Sequence, residues 1–111
     1  MKGTQALTGR AAAASERERL AERIGAAVTG LPDVAGLTAG PRAHVVTYRV
    51  GPPYGGVAVR DGEIEVGVVA RPGRPLAEIA ETVRQAVLPL AGGLPVNVLI
   101  GDIDDGARGN G

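Results

Sequence analysis

The chain contains no cysteine, tryptophan or phenylalanine, and two tyrosines are its only aromatic residues. The absence of cysteine excludes disulfides, thiolate nucleophiles and cysteine-ligated zinc, and it fits a reducing compartment. Because aromatic residues are so few, the core must be aliphatic. Net charge is also absent, since 12 basic residues balance 12 acidic ones. Nucleic acids and anionic membranes bind through clustered excess Lys and Arg, so the neutral balance disfavours both as main partners.

Long hydrophobic runs are missing as well. The longest uncharged stretch, residues 86–101, is interrupted by proline and glycine and is shorter than the ~20 residues of a membrane helix. The first twenty residues contain no apolar run of signal-peptide length. We therefore expect a protein that is not secreted and does not span a membrane.

The patterns that are present predict one domain over residues 15–103, between flexible tails at residues 1–14 and 104–111. Ser15 and Glu18 form a capping box, which predicts that the first helix begins at Ser15. Apolar residues recur at helical spacing from Leu20 to Leu31, and the charged residues between them indicate a solvated face. Gly30 and Pro32 end this pattern.

Alternating residues then predict a strand over residues 43–50, with His44, Val46 and Tyr48 facing the core. Asp61-Gly62 separates two further alternating runs and is typical of a tight hairpin turn. A second helix is predicted to begin at Pro75, which places Arg74 at its N-cap. Its apolar stripe comprises Leu76, Ile79, Ala80, Val83, Ala86, Val87 and Leu90. Residues 96–100 alternate again and predict the last strand.

This order, α-β-β-β-α-β, predicts an α+β fold, a small two-layer sandwich. One mixed sheet of three or four strands would carry two helices on one face. If the helices cover the face with Val46, Ile64 and Val98, the other face carries Val45, Ala58, Val69 and Leu99. Such a face is apolar for a solvated surface. We therefore name Val45, Val69 and Leu99 as a candidate oligomer face, against the alternative that these residues reflect β propensity alone.

The sequence contains few sets of residues that could act together in catalysis. The single serine, Ser15, is accounted for as a helix cap, and the single histidine, His44, has no partner that spacing identifies. Glu63 and Glu65 share a strand face, about 6.5 Å apart, but lie beside a hairpin turn on the polar face. The acidic residues from Asp102 onward lack the ligand spacing of a calcium loop. We predict no catalytic, cofactor-binding or metal-binding residues.

One basic cluster suggests a binding site. Arg71 and Arg74 flank the start of the second helix, where backbone N–H groups lack helical partners. These donors and two guanidinium groups could hold a carboxylate or phosphate of a partner. The glycine-rich segment GPPYGG contributes Tyr54 as a further candidate contact.

Four motifs carry a resemblance to a known family: LPDVAGL after the first helix, the hairpin GVAVRDGEIEVGVVA, the helix PLAEIAETVRQAVLPL, and the closing GGLPVNVLI. In this order they make residues 16–103 resemble the alkaline shock protein family, the envelope stress response family of Gram-positive bacteria. The resemblance implies a non-enzymatic cytoplasmic protein that self-associates. It also implies attachment to the inner face of the membrane through a membrane-anchored partner, and no catalytic residues.

Three hypotheses follow. The first is a stress-associated scaffold or adaptor that acts through homo-oligomer contacts. The second is a regulatory module that binds an anion or a partner peptide through Arg71, Arg74 and Tyr54. The third is a nucleic-acid-binding module, which the neutral charge and the lack of stacking aromatics disfavour. We expect the first.

Overall fold

The structure is a computed structural model that describes residues 2–42, 44–47 and 54–104. It contains two α-helices, α1 (Lys2–Thr29) and α2 (Leu76–Val87), with a short 3₁₀ turn at Leu88–Leu90. Its strands are β1 (Val34–Leu37), β2 (Val46–Thr47), β3 (Tyr54–Gly55), β4 (Val57–Val59), β5 (Ile64–Ala70) and β6 (Val96–Ile103). The predicted α+β class is confirmed.

The main sheet is built around β5. On one side β6 runs parallel to β5 along its whole length, from Ile64↔Val96 to Ala70↔Ile103. On the other side two short antiparallel strands lie end to end, β4 beside the first half of β5 and β1 beside the second. A separate two-stranded ribbon joins β2 to β3. The sheet is therefore mixed, with β6 at one edge.

The core lies between one face of this sheet and the two helices. Ala21, Ile24 and Val28 of α1 and Ile79, Val83 and Val87 of α2 are fully buried against Val57, Ile64, Val66, Val68 and Ala70. Of the stripe predicted for α2, Ile79, Val83 and Val87 are fully buried. The other members are half-buried, namely Ala80, Ala86 and Leu90, except Leu76, which is 42% exposed. The predicted hairpin is also confirmed, with Val57 opposite Val66 and Val59 opposite Ile64.

The start of each helix differs from the prediction. α1 begins at Lys2, so Ser15 lies inside the helix and does not cap it. A capping box satisfies free N–H groups where a helix begins, but it does not prevent the preceding residues from continuing the helix. α2 begins at Leu76 with Pro75 as its N-cap, one residue later than expected, because Pro75 is extended with ψ at 138°.

The second face of the sheet is crossed by residues 38–40, here called the crossing segment. The Thr38 N–H donates to the Gly67 carbonyl at 2.9 Å, and the Val45 N–H donates to the Ala39 carbonyl at 3.1 Å. Gly67 makes this approach possible, because a Cβ there would overlap the Thr38 carbonyl oxygen. The chain thus covers part of its own second face.

This crossing reverses the predicted faces of the segment around β2. Val45 and Thr47 are buried, whereas Val46 is half-buried and His44 is exposed. The Thr47 hydroxyl donates to the Val57 carbonyl at 2.8 Å and accepts the Val59 N–H at 3.2 Å. The side chain of Thr47 therefore bonds the backbone of β4, which fixes its inward orientation. The predicted positions of Ala43, Tyr48, Arg49 and Val50 lie outside the described residues.

Candidate functional site

β6 presents a long open edge. It pairs with β5 over its full length, and within the described residues no strand pairs with its other edge. Between Val96 and Ile100 it contains neither proline nor a charged side chain. Proteins usually blunt an edge strand with such residues, because unpaired N–H and C=O groups pair readily with another chain. This edge has no such protection.

The backbone hydrogen bonds show which groups of β6 point outward. The Pro95 carbonyl accepts the Ile64 N–H at 2.9 Å, so residues 95, 97 and 99 direct their backbone groups toward β5. Alternate residues of a strand direct these groups to opposite edges. The N–H and C=O groups of Val96, Val98 and Ile100 therefore point away from β5.

The outward edge has defined ends. Before it, the Leu94 N–H donates to the Ala91 carbonyl at 3.2 Å. After it, the register shifts between Val68 and Val69, and the Ile103 N–H donates to the Asp102 carboxylate at 2.8 Å. The stretch that can accept a further strand is thus five residues, 96–100.

A groove runs beside this edge under α2. It has a volume of about 370 Å³ and is lined by Ala77, Ala80, Glu81, Arg84, Val96, Asn97 and Val98. The two alanines have small side chains, so α2 extends little into the groove at these positions. This leaves room for the side chains of an added strand. Val98 and Ile100, which face the helices, are only half-buried at the border of the core.

The groove also carries one charge of each sign. The Arg84 Nε donates to Glu81 Oε1 at 3.0 Å, and Gln85 Nε2 donates to Glu81 Oε2 at 3.0 Å. These hydrogen bonds, that of Arg84 first, lower the pKa of the Glu81 carboxyl. Glu81 is therefore ionised at neutral pH. The helix thus offers a carboxylate and a guanidinium side by side at the groove.

The predicted oligomer face is only partly exposed. Val45 is fully buried, and Ala58 is 1% exposed, whereas Val69 and Leu99 are half-buried. The expectation that Val45 is exposed is wrong. The crossing segment lies over part of the sheet's second face, and the Val45 N–H donates to Ala39 of that segment. Leu99 lies under this crossing, where a Cβ on Gly40 would meet its Cδ2 at 2.8 Å.

The predicted basic cluster is not assembled as expected. Arg74 Nη1 donates to Asp33 Oδ2 at 2.5 Å, and its Nη2 lies 3.5 Å from Glu78 Oε1. The hydrogen bond to Asp33 is the main cause of the raised pKa of Arg74. Arg71 is exposed, and Tyr54 packs against Gly25 of α1. The guanidinium of Arg74 is thus already neutralised by two carboxylates of the same chain.

A second polar cluster surrounds His44. Its Nε2 lies 3.6 Å from Glu65 Oε2, while Arg60 Nη1 donates to Glu65 Oε1 at 2.8 Å and Arg60 Nη2 to the His44 carbonyl at 3.1 Å. A neighbouring cavity of about 450 Å³ reaches the ion pair of Arg17 with Asp61. The charges around this cavity are mutually paired, so it favours no ligand of either sign.

Two other features are absent from the described residues, a metal-ligand cluster and a membrane-spanning helix. No three or more His, Cys, Asp or Glu residues there are placed to hold a metal ion. No helix of that part of the chain combines the length and apolar character needed to cross a membrane. Comparison with known proteins gave no match to a family model, a curated protein or a solved structure.

The sequence analysis missed the edge of β6 and the groove beside it. The alternation of Val96, Val98 and Ile100 identified a strand, but alternation does not tell whether a strand has one neighbour or two. The sequence did contain one signal for the groove. Ala77 and Ala80 are small residues one turn apart on α2, and they leave space on that side of the helix.

Proposed function

We propose that this protein is a non-enzymatic scaffold or adaptor that acts by self-association through the open edge of β6. The observation that carries the proposal is the outward-pointing backbone of Val96, Val98 and Ile100 beside the groove under α2. A strand added at this edge would satisfy those backbone groups and cover the half-buried side chains of Val98 and Ile100.

The stretch has the chemistry of an interface core. Its side chains are mainly branched and aliphatic, and such residues favour strand pairing. Antiparallel pairing buries them against side chains of the same type on the second copy. An exposed edge without charges or proline promotes association with another strand. The presence of such a stretch at residues 96–100 in a stable fold supports its use in self-association.

The resemblance to the alkaline shock protein family supplies the cellular setting of the proposal. That family's properties suggest a cytoplasmic protein of the envelope stress response, held near the inner face of the membrane by a membrane-anchored partner. In that setting, self-association would bring two copies together at one place. The partner would then be bound by an assembly, which strengthens weak individual contacts through avidity.

The test is size-exclusion chromatography with light scattering over a hundredfold range of protein concentration. We expect the average mass to rise with concentration from the monomer mass of 11.2 kDa toward twice that value. A constant monomer mass over the whole range would overturn the proposal.

A matched pair of variants links the association to the groove. Ala77→Arg places a long charged side chain in the groove, and we expect it to keep the protein monomeric. Thr82→Arg makes the same type of change on another side of α2, away from the lining of the groove, and should leave association unchanged. Equal effects of the two variants would contradict a role of this groove.

A further inference from the structure

We infer that two copies pair antiparallel along β6 about a twofold axis at Val98, which joins their sheets into one continuous sheet with all four helices on one face. This inference rests on the proposed self-association and specifies its geometry. A twofold axis is the simplest symmetry for a strand that pairs with itself, because each residue then meets its counterpart at the mirrored position.

The outward backbone groups select this register. With the axis at Val98, that residue faces itself, and Val96 faces Ile100 of the second copy. All three outward residues then form hydrogen-bonded pairs, with about six backbone hydrogen bonds across the interface. The spacing of these residues around Val98 is therefore self-complementary.

The two neighbouring registers satisfy fewer groups. With the axis at Asn97, Ile100 would face Leu94, whose N–H already donates to the Ala91 carbonyl. With the axis at Leu99, Val96 would face Asp102, which lies beyond the register shift in β6. Each alternative keeps only about four good hydrogen bonds. The axis at Val98 is thus preferred by the backbone alone.

The charges of α2 agree with this axis. Glu81 and Arg84 line the same groove as Val98, so an axis at Val98 passes beside them. A twofold axis reverses the direction of the second α2, so an axis that passes between Glu81 and Arg84 would bring Glu81 of each copy near Arg84 of the other. In this arrangement the two Glu81 carboxylates are kept apart, as are the two Arg84 guanidiniums, and each carboxylate faces a guanidinium of the other copy.

Disulfide cross-linking tests the register, and the chain has no cysteine of its own to interfere. In the inferred dimer, Asn97 lies directly opposite Leu99 of the second copy. This is a pair without backbone hydrogen bonds, with Cα atoms about 4.5 Å apart. Such a separation lies within the range of about 4.4–6.8 Å that disulfides span.

We expect oxidation to cross-link about half of the chains in an equal mixture of Asn97→Cys and Leu99→Cys, the share of mixed dimers, and more as subunits exchange. Either variant alone should cross-link several-fold less. Efficient cross-linking of Asn97→Cys alone would place the axis at Asn97, and that of Leu99→Cys alone would place it at Leu99. Either result overturns the inference.

Light scattering distinguishes a wrong dimer geometry from the absence of a dimer. A dimer that fails to cross-link in all three samples would use another surface, which overturns this inference and the role of the β6 edge but leaves self-association itself standing. A monomer at every concentration would overturn the proposed function itself. Circular dichroism of each reduced variant establishes that it is folded.

A second measurement does not depend on the folding of Leu99→Cys. The exposed changes Glu81→Arg and Arg84→Glu each place like charges across the axis, and each should raise the dimer dissociation constant several-fold. Mixing the two variants should restore association, although both lack the ion pair within their own helix. Failure of the mixture to associate better than either variant alone would contradict the α2 pairing.

Discussion

At the scale of single residues, Gly67 determines how the second face of the sheet is covered. It stands in the middle of β5, where a glycine normally weakens a strand. Its N–H donates to the Gly56 carbonyl at 2.8 Å and its carbonyl accepts the Thr38 N–H at 2.9 Å. Thr38 also approaches Gly101, where a Cβ would meet its Cγ2 at 2.8 Å. The lack of a side chain at these positions admits the crossing segment.

Gly67→Ala should destabilise the fold by about 1 to 3 kcal/mol, because the new methyl group would overlap the carbonyl oxygen of Thr38. The matched control is Gly36→Ala on the adjacent strand β1, where a Cβ would meet nothing within 4 Å. That control should leave the free energy of unfolding unchanged or raise it by up to about 1 kcal/mol. Urea unfolding of both variants measures the difference, and equal stabilities would show that the crossing segment does not press on Gly67.

At the scale of elements, the stability of α2 depends in part on the ionised, exposed carboxylate of Glu81. Hydrogen bonds from Arg84 and Gln85 lower the pKa of Glu81 below its ordinary value of 4.5. A carboxyl with a lowered pKa in the folded state stabilises the fold above that ordinary value, and the stabilisation is lost as pH falls through the folded-state pKa. The helix should therefore weaken on acidification.

Glu81→Gln tests this dependence. In urea unfolding of dilute protein, the wild-type chain should be more stable than the variant at about pH 7, and the difference should shrink as the pH falls below 4.5, the ordinary pKa of the Glu81 carboxyl. High salt should also reduce the difference at neutral pH, since the group is exposed. A difference that persists unchanged in acid would assign the effect to something other than the charge of Glu81.

The sequence predicted those elements whose signals are local. The Asp61-Gly62 turn, the buried residues of α2 and the strand β6 depend on neighbours within a few positions, and all three were found. The orientation of β2 was not, because Val45 and Thr47 are drawn inward by β4 and the crossing segment. The glycine inside β5 was the available sign of that close approach, but it does not identify the segment that approaches.

The candidate site was predictable only in part. Val69 and Leu99 were correctly placed on the face opposite the helices, since strand alternation assigns faces. The pairing of Arg74 with Asp33 joins positions 41 residues apart, and no local pattern indicates it. The same holds for the open edge of β6, which depends on the order of strands in the sheet.

At the scale of the whole molecule, α1 is the longest element that the structure describes. Its 28 residues span about 42 Å. The molecule accordingly measures 59 Å in its longest dimension. The fully buried side chains of α1 within residues 15–29 are Ala21, Ile24 and Val28. These three attach the helix to the sheet and to α2.

A chain without residues 2–14 keeps all three of these buried residues, and we expect its free energy of unfolding to change by less than about 1 kcal/mol. In the shortened chain Ser15 stands at the start of the helix, where it and Glu18 can form the capping box that the sequence suggests. Urea unfolding of the shortened and full-length chains provides the measurement. A loss of more than about 2 kcal/mol would assign a packing role to the deleted residues.

The parallel pairing of β5 with β6 also has a consequence during protein synthesis. β5 is complete after residue 70, but its neighbour begins only at Val96, after the whole of α2. Until the ribosome has released that last strand, the most buried strand of the sheet has an open edge. A chain terminated before Val96 would keep that edge permanently, and it should aggregate or be degraded instead of folding.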